Sequence, residues 1–542
     1  MAREERLRGP ELSSARAALS GARGKRRLEI ILEARDPGAL LRALPAEDLY
    51  FTIREIGIAD AAPLVPLASA EQFRTFLDLD AWQGDRLDPG RALTWLRAAR
   101  AGSQRDPRAE ERWRRKLSGL DRELLSFLLR ESLVVHDLSE TPDPEVQGES
   151  LRTPDGQFLV EFRAKGAEYS ALRGLLDDLY AQDPFQASRL LASLRFDLSS
   201  ELEESALRWR TGRLADLGIP SAEEAASWFA RPPRSPAARP GLPKRPPGFF
   251  LAALASQTLL DRGVAELPSA DRPGVQAQIA SAANAALVAD RVDLVDPEAV
   301  RTAFQAARAL LELGLEVRLR AEGHPLDGAG AAAVLAAVPV KRIFQDGFGR
   351  VLDLRSRAEG IIRAGFAGTE EAPLLDAPLA EALFALPVRR PRYFPGLEAR
   401  REDWATPTAA AFAPRPFLAT SELDRTGAAL DLGEGLVRLA RTLGLAPEPK
   451  AASARRLTAL YLTALAGERL GRGFAFGPLA ASQVPGAIAA LATVDDPRLG
   501  AAGEPGAVLL ELARARAAEL RSLAGAGEAI PERVADLWVE LA

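Results

Sequence analysis

Apolar and polar positions follow a helical period along much of this chain, most clearly between Asp36 and Leu96. Leu40-Leu41 falls over Leu64-Val65 and Ala46-Glu47 over Ala70-Glu71, at a common offset of 24 residues. Leu49 then falls over Phe73. A looser third unit starts at Leu87-Asp88-Pro89 and continues through Ala92-Leu93 and Trp95-Leu96. Each unit joins a helix-start signal to an apolar stripe too narrow to be buried alone. That pattern predicts a stacked, superhelix-like helical array.

Helix starts recur well beyond this stretch. Asp before Pro offers a capping carboxylate ahead of a residue with no N–H to satisfy. The dipeptide stands at Asp36-Pro37, Asp88-Pro89, Asp183-Pro184, Asp296-Pro297 and Asp496-Pro497. Capping boxes are expected at Ser69/Gln72, Ser200/Glu203 and Ser221/Glu224. Leu117, Leu120, Leu124 and Leu128 predict one helix over 117–133. The pattern then shifts to period two: Thr153-Pro154-Asp155-Gly156 is a turn signal before the alternating Phe158 to Phe162, which predicts one small hairpin near 151–163. Residues 231–247 are rich in Pro and Arg, lack apolar periodicity and read as a semi-extended linker.

The expected layout is a polar lead over 1–35, a helical-array domain over 36–230, the linker, and a second helical domain over 248–542. A Pro/Arg-rich irregular segment near 386–417 interrupts the second domain. Its aromatics, Tyr393, Phe394, Trp404, Phe412 and Phe417, suggest that it packs along the surface. A final helix is expected at 531–541. The fold class is mainly α.

Composition adds limits to this layout. A chain of 542 residues exceeds what one core usually serves. Hydrophobic residues at 47% and charged residues at 27% describe an ordinary globular protein. The net charge of −5 provides no global attraction to nucleic acid or to an anionic membrane. No cysteine is present, which excludes disulfides, thiolate metal sites and cysteine nucleophiles. The N-terminus has charge but no apolar signal region, and the most apolar run, Ala331 to Val340, falls short of the roughly 20 residues that cross a bilayer. A cytoplasmic protein without membrane insertion is expected.

Two groups of side chains carry candidate chemistry. Asp78, Asp80, Asp85 and Asp88, with Trp82 among them, could offer oxygen ligands to Mg²⁺ or Ca²⁺. Their spacing does not fit an EF-hand loop, because Trp82 takes the third ligand position and no Glu closes the motif. The plainer expectation is that Asp88 caps a helix while the other carboxylates are solvated or pair with Arg86 and Arg91. Arg208, Arg210 and Arg213, around Trp209, could present guanidinium groups to a phosphate or carboxylate. Trp209 is in step with Leu202 and Ala206 and is expected in the core, and Glu204 precedes Arg208 by one helical turn. The two histidines, His136 and His324, sit in no zinc or triad context. No catalytic, cofactor or metal residue is assigned, and a divalent cation is not expected.

FLDLDAWQGDRLDPGRALTWL (Phe76 to Leu96) resembles a bacterial family known only as a domain of unknown function. TPDGQFLVEF (Thr153 to Phe162), ELEESALRWRTGRLADLG (Glu201 to Gly218) and VPVKRIFQDGFGRVLDLR (Val338 to Arg355) look like the same family. LLRALPAEDLYFTI and LVPLASAEQFRTFL, within 36–96, are weakly similar to the cytoplasmic helical superhelix domain of bacterial magnesium channels. That second resemblance would imply acidic side chains that sense cations. The function expected is a non-enzymatic scaffold or adaptor that binds another protein on the concave side of the array. A cation- or ligand-responsive regulatory module is the alternative, and an enzyme of unrecognised type the second.

Overall fold

The computed structural model describes residues 18–540 except 20, 21, 23, 197, 232–257, 295, 365–368, 371, 372, 405–411, 446–455 and 526–536. The protein is mainly α-helical, with only small sheets. It divides into two compact units. The first holds the described residues up to Phe229, residues 258–307 and Leu335–Lys341; the second holds Arg308–Val334 and the chain from Arg342 onward. Of the expected linker only Arg231 is described, and 232–247 lie outside the described residues.

The first unit begins with α1 (Lys25–Leu32), α2 (Pro37–Arg42), α3 (Ala46–Ile56), the 3-10 turn Val65–Leu67 and α4 (Ala70–Asp80). Asp36 caps α2 through its bond to Ala39 N, and Ser69 and Gln72 form the full capping box of α4. Gln72 does more than cap its own helix. Its Nε2 donates to the carbonyls of Leu41 and Leu44, both at 2.9 Å, and so satisfies the end of α2 from outside. Leu40, Leu41, Leu49, Leu64, Val65 and Phe73, the large apolar positions among those that matched at the 24-residue offset, are all fully buried.

A two-residue hairpin, β1 (Trp82–Gln83) and β2 (Arg86–Leu87), turns the chain into α5 (Pro89–Arg100), which Asp88 caps. α6 (Pro107–Ser118) follows, and α7 (Arg122–Ser132) comes next after a break. The single helix expected over 117–133 is therefore two, because the chain leaves the helix at Gly119 and restarts at Asp121. Strands β3 (Leu133–Asp137), β4 (Ser150–Arg152) and β5 (Phe158–Phe162) make an antiparallel sheet in the order β3-β5-β4. The expected hairpin is β4–β5, and β3 extends it, as its β-branched Val134-Val135 would favour. Asp155 in the turn accepts bonds from Thr153 Oγ1 and Gln157 N, and also from Tyr180 and Ser188 on the next two helices. The turn is thereby tied to α8 (Gly166–Gln182) and α9 (Pro184–Phe196), which lead to α10 (Ser199–Asp216) and α11 (Ala222–Trp228). α12 (Leu259–Glu266) and α13 (Arg272–Ala289) join the same unit; Asn284 on α13 donates to the Gly218 carbonyl.

The division between units falls inside α14 (Pro297–Glu322), which precedes α15 (Gly328–Ala337) and α16 (Val340–Arg363). α16 runs unbroken through Gly347. An added Cβ at Gly347 would lie 2.3 Å from the Leu310 carbonyl, and one at Gly314 would lie 1.8 Å from the Ile343 carbonyl. Only glycine at both places lets the two backbones cross so closely. α17 (Leu379–Phe384) leads into the irregular segment, where Tyr393, Phe394, Trp404 and Phe417 are buried and Phe412 is exposed. α18 (Thr420–Thr442), α19 (Leu457–Arg469), β6 (Leu479–Ala480), α20 (Val484–Ala490), α21 (Pro497–Gly500) and α22 (Gly503–Gly525) complete the second core. The helix expected at 531–541 is not what the described residues 537–540 form. They hold β7 (Val539–Glu540), paired in parallel with β6 and anchored by Trp538 N on Thr463 Oγ1 at 2.8 Å.

Candidate functional site

The two candidate groups, distant in sequence, meet in space. Asp78 and Asp80 lie in the last turn of α4, where a carboxylate faces the negative end of the helix dipole. Both are only 2% exposed. Each therefore needs a donor set strong enough to offset desolvation as well as the dipole.

For Asp78 that set is cationic. Its oxygens accept from Arg213 Nε at 2.7 Å and Nη2 at 2.8 Å, a two-bonded fork. Arg213 Nη1 also lies 2.7 Å from Asp121 at the start of α7. Arg210, one helical turn earlier, donates to the Asp78 backbone carbonyl at 2.8 Å and to the Gly84 carbonyl at 3.1 Å. Its guanidinium lies 5.1 Å from the centre of the Trp82 ring. Two arginines three positions apart share one face of α10, so together they grip the end of α4 and the β1–β2 turn. Burial pushes the Asp78 carboxyl up despite the pull of Arg213, and burial lowers Arg210.

For Asp80 the donors are mostly neutral. Tyr50 Oη donates at 2.9 Å and Trp95 Nε1 at 2.5 Å, and Arg54 Nε stands 3.7 Å away. The Trp95 ring packs against Phe76 at 5.1 Å and Tyr50 at 6.1 Å between ring centres. Burial, and then the charge of Asp80, hold the Tyr50 phenol well above its usual value.

The remaining predicted residues separate. Asp85 is exposed on the hairpin turn, and Arg208 is exposed on the far side of α10. Trp82 is buried, with its Nε1 unpaired. Trp209 is 57% exposed, which corrects its expected place in the core. The buried face of α10 runs through Ala206, Arg210 and Leu214, and Trp209 falls on its edge. The expectation that Asp78 and Asp80 would be solvated or pair with Arg86 and Arg91 is also corrected. Arg91 pairs instead with Asp88 at 3.5 Å and Asp293 at 3.5 Å. His136 on β3 faces Glu161 on β5 at 3.4 Å.

Chemically this is a clamp. The side-chain oxygens of Asp78 and Asp80 accept hydrogen bonds from protein donors, and Asp85 is exposed apart from them. Among the described residues no group of three or more His, Asp or Glu side chains is placed to hold a metal ion. Sequence reading missed Tyr50, Arg54, Trp95 and Asp121 as partners. The available signal was the Tyr and Trp inside apolar stripes, since a buried phenol or indole usually finds a polar partner.

A family described as of unknown function, DUF6178, matches residues 4–528, so the chain belongs to that family. No curated protein and no solved structure matches the chain, and the similarity of 36–96 to the magnesium-channel domain is not shown.

Proposed function

We propose that this member of the DUF6178 family is a cytoplasmic protein-interaction scaffold or adaptor whose partner docks on the outward side of α9 and α10. The observation that carries this reading is the placement of large apolar side chains there. Phe196, the last residue of α9, is 70% exposed, Leu198, just before α10, 60%, and Trp209 on α10 57%. Exposed aromatics beside arginine are the composition of binding hot spots, and Arg208 is exposed next to Trp209. The inner face of α10 is occupied by the Arg210/Arg213 clamp, which fixes the helix and leaves its outer face to a partner. Among the described residues no helix is long and apolar enough to cross a membrane, in keeping with a soluble adaptor.

The test is affinity purification from the native host with wild type and a Phe196→Ser/Trp209→Ser variant. A stoichiometric partner held by wild type and lost from the variant, at equal melting temperature, supports the reading. Equal recovery from both overturns it.

A further inference from the structure

A second feature of the first unit lies apart from the clamp and from the exposed aromatics. A cleft of about 650 Å³ opens between α5, the loop 101–106 and the start of α8. Sites for small organic ligands commonly span roughly 300–1,000 Å³. Leu93, Leu96 and Leu175 supply an apolar floor, and Arg97, Arg100 and Arg105 bring three guanidinium groups to its lining.

The three arginines are held differently. Arg100 is fixed: its Nε and Nη2 donate to Asp178 at 2.5 and 3.1 Å, and Trp113 Nε1 donates to the same carboxylate at 2.7 Å. The guanidinium lies against α8 at Gly174, where an added Cβ would come within 2.6 Å of Nη1. Any other residue at 174 would push Arg100 off this seat. Arg97 and Arg105 are exposed, and neither side chain holds a hydrogen bond or ion pair among the described residues. Three arginines of α6 behave otherwise: Arg112 pairs with Asp106, Arg114 with Glu110 and Arg115 with Glu111. The lining holds three arginines and no carboxylate; Asp178 and Asp177 beside it act on Arg100, and Asp106 at the end of the loop pairs with Arg112, so Arg97 and Arg105 leave the cleft cationic.

The residues also select a shape. Guanidinium forks match the paired oxygens of a carboxylate or phosphate, and an apolar floor rewards a hydrocarbon body attached to that oxyanion. We propose that this cleft binds a small organic anion, a carboxylate or phosphate carried on an apolar body, with Arg97 and Arg105 as its ligating cations.

Isothermal titration of the full chain with benzoate, phenyl phosphate and inorganic phosphate tests the site. Saturable binding of benzoate or phenyl phosphate is expected, weakened at least about tenfold in Arg97→Gln/Arg105→Gln. Both positions are exposed, so the variant should melt with wild type. The tighter of the two organic probes identifies which oxyanion the forks prefer. No saturable binding by either organic probe, unchanged affinity in the variant, or inorganic phosphate binding as tightly as phenyl phosphate would each overturn the proposal.

Discussion

Asp78 and Asp80 are two residues apart on one helical turn and equally buried, yet their surroundings do opposite things. At Asp78 the partners are guanidinium groups of α10, reached across more than a hundred residues of chain. At Asp80 they are a phenol and an indole of α3 and α5, elements that pack directly beside α4. The first arrangement straps a distant helix down by charge. The second pins an aromatic cluster by hydrogen bonds from neutral donors. The comparison shows that burial alone does not set a carboxylate's role; the kind of donor does, and it also determines how each site should respond to pH and to substitution.

The Asp80 side should show the largest effect when its ring is removed. Trp95→Ala deletes a fully buried indole and takes a donor from Asp80. A loss of about 3–5 kcal/mol is expected by chemical denaturation. A loss under about 1 kcal/mol would mean that Trp95 is not the centre of this core.

The Asp78 side should answer to charge. Burial holds the Asp78 carboxyl above its ordinary value. Its contribution to stability is therefore fully present below the ordinary carboxylate range and lost as pH rises through the raised value. Arg213 limits that loss. Arg213→Met removes the limit and should cost about 3 kcal/mol near neutral pH, the low end for a broken buried pair, since Arg213 itself is only half-buried. The cost should shrink as the pH is lowered below the ordinary carboxylate range, where the carboxyl is protonated in both states. A pH-independent loss would refute the charge strap. By contrast, Asp80→Asn should cost only about 1 kcal/mol: the amide oxygen can accept from Trp95 and its NH₂ can donate to Tyr50. A loss well above that would show that the ion pair with Arg54, at 3.7 Å, holds Asp80 more strongly than its neutral donors do.

What sequence could reveal of all this depended on distance along the chain. Asp36, Asp88, Asp183, Asp296 and Asp496 cap as expected, because each cap bonds an N–H two or three residues ahead. The Thr153–Gly156 turn was legible for the same reason. Asp78 and Arg213 were both singled out, but as members of separate groups, since periodicity assigns a residue to a face and says nothing of which helix meets that face. Trp209 shows the limit even of the face: it lies in step with Leu202 and Ala206, yet the buried stripe is centred one position further on, at Arg210. At the C-terminus, Val539 and Glu540 took a strand because Leu479 and Ala480 offered an edge, a non-local pairing that helical periodicity does not register.

The smallest expected effect is none at all, and it bears on both sites at once. An acidic cluster with Asp78, Asp80 and Asp85 invites titration with MgCl₂ or CaCl₂. A bound cation at about 100 times its dissociation constant would add roughly 2.7 kcal/mol to stability. To reach Asp78 it would have to displace the Arg213 fork, and to reach Asp80 it would have to strip away the Tyr50 and Trp95 donors. Mg²⁺, which demands near-octahedral oxygen ligands and gives up its waters reluctantly, gains little from so enclosed a site. Asp85 remains open to solvent but stands alone. The melting temperature should therefore stay level across a millimolar titration, in wild type and in Asp80→Asn/Asp85→Asn alike. A rise in wild type that the double variant abolishes would mean that Asp80 can exchange its neutral donors for a cation, and the contrast between its pin and the Asp78 strap would fail.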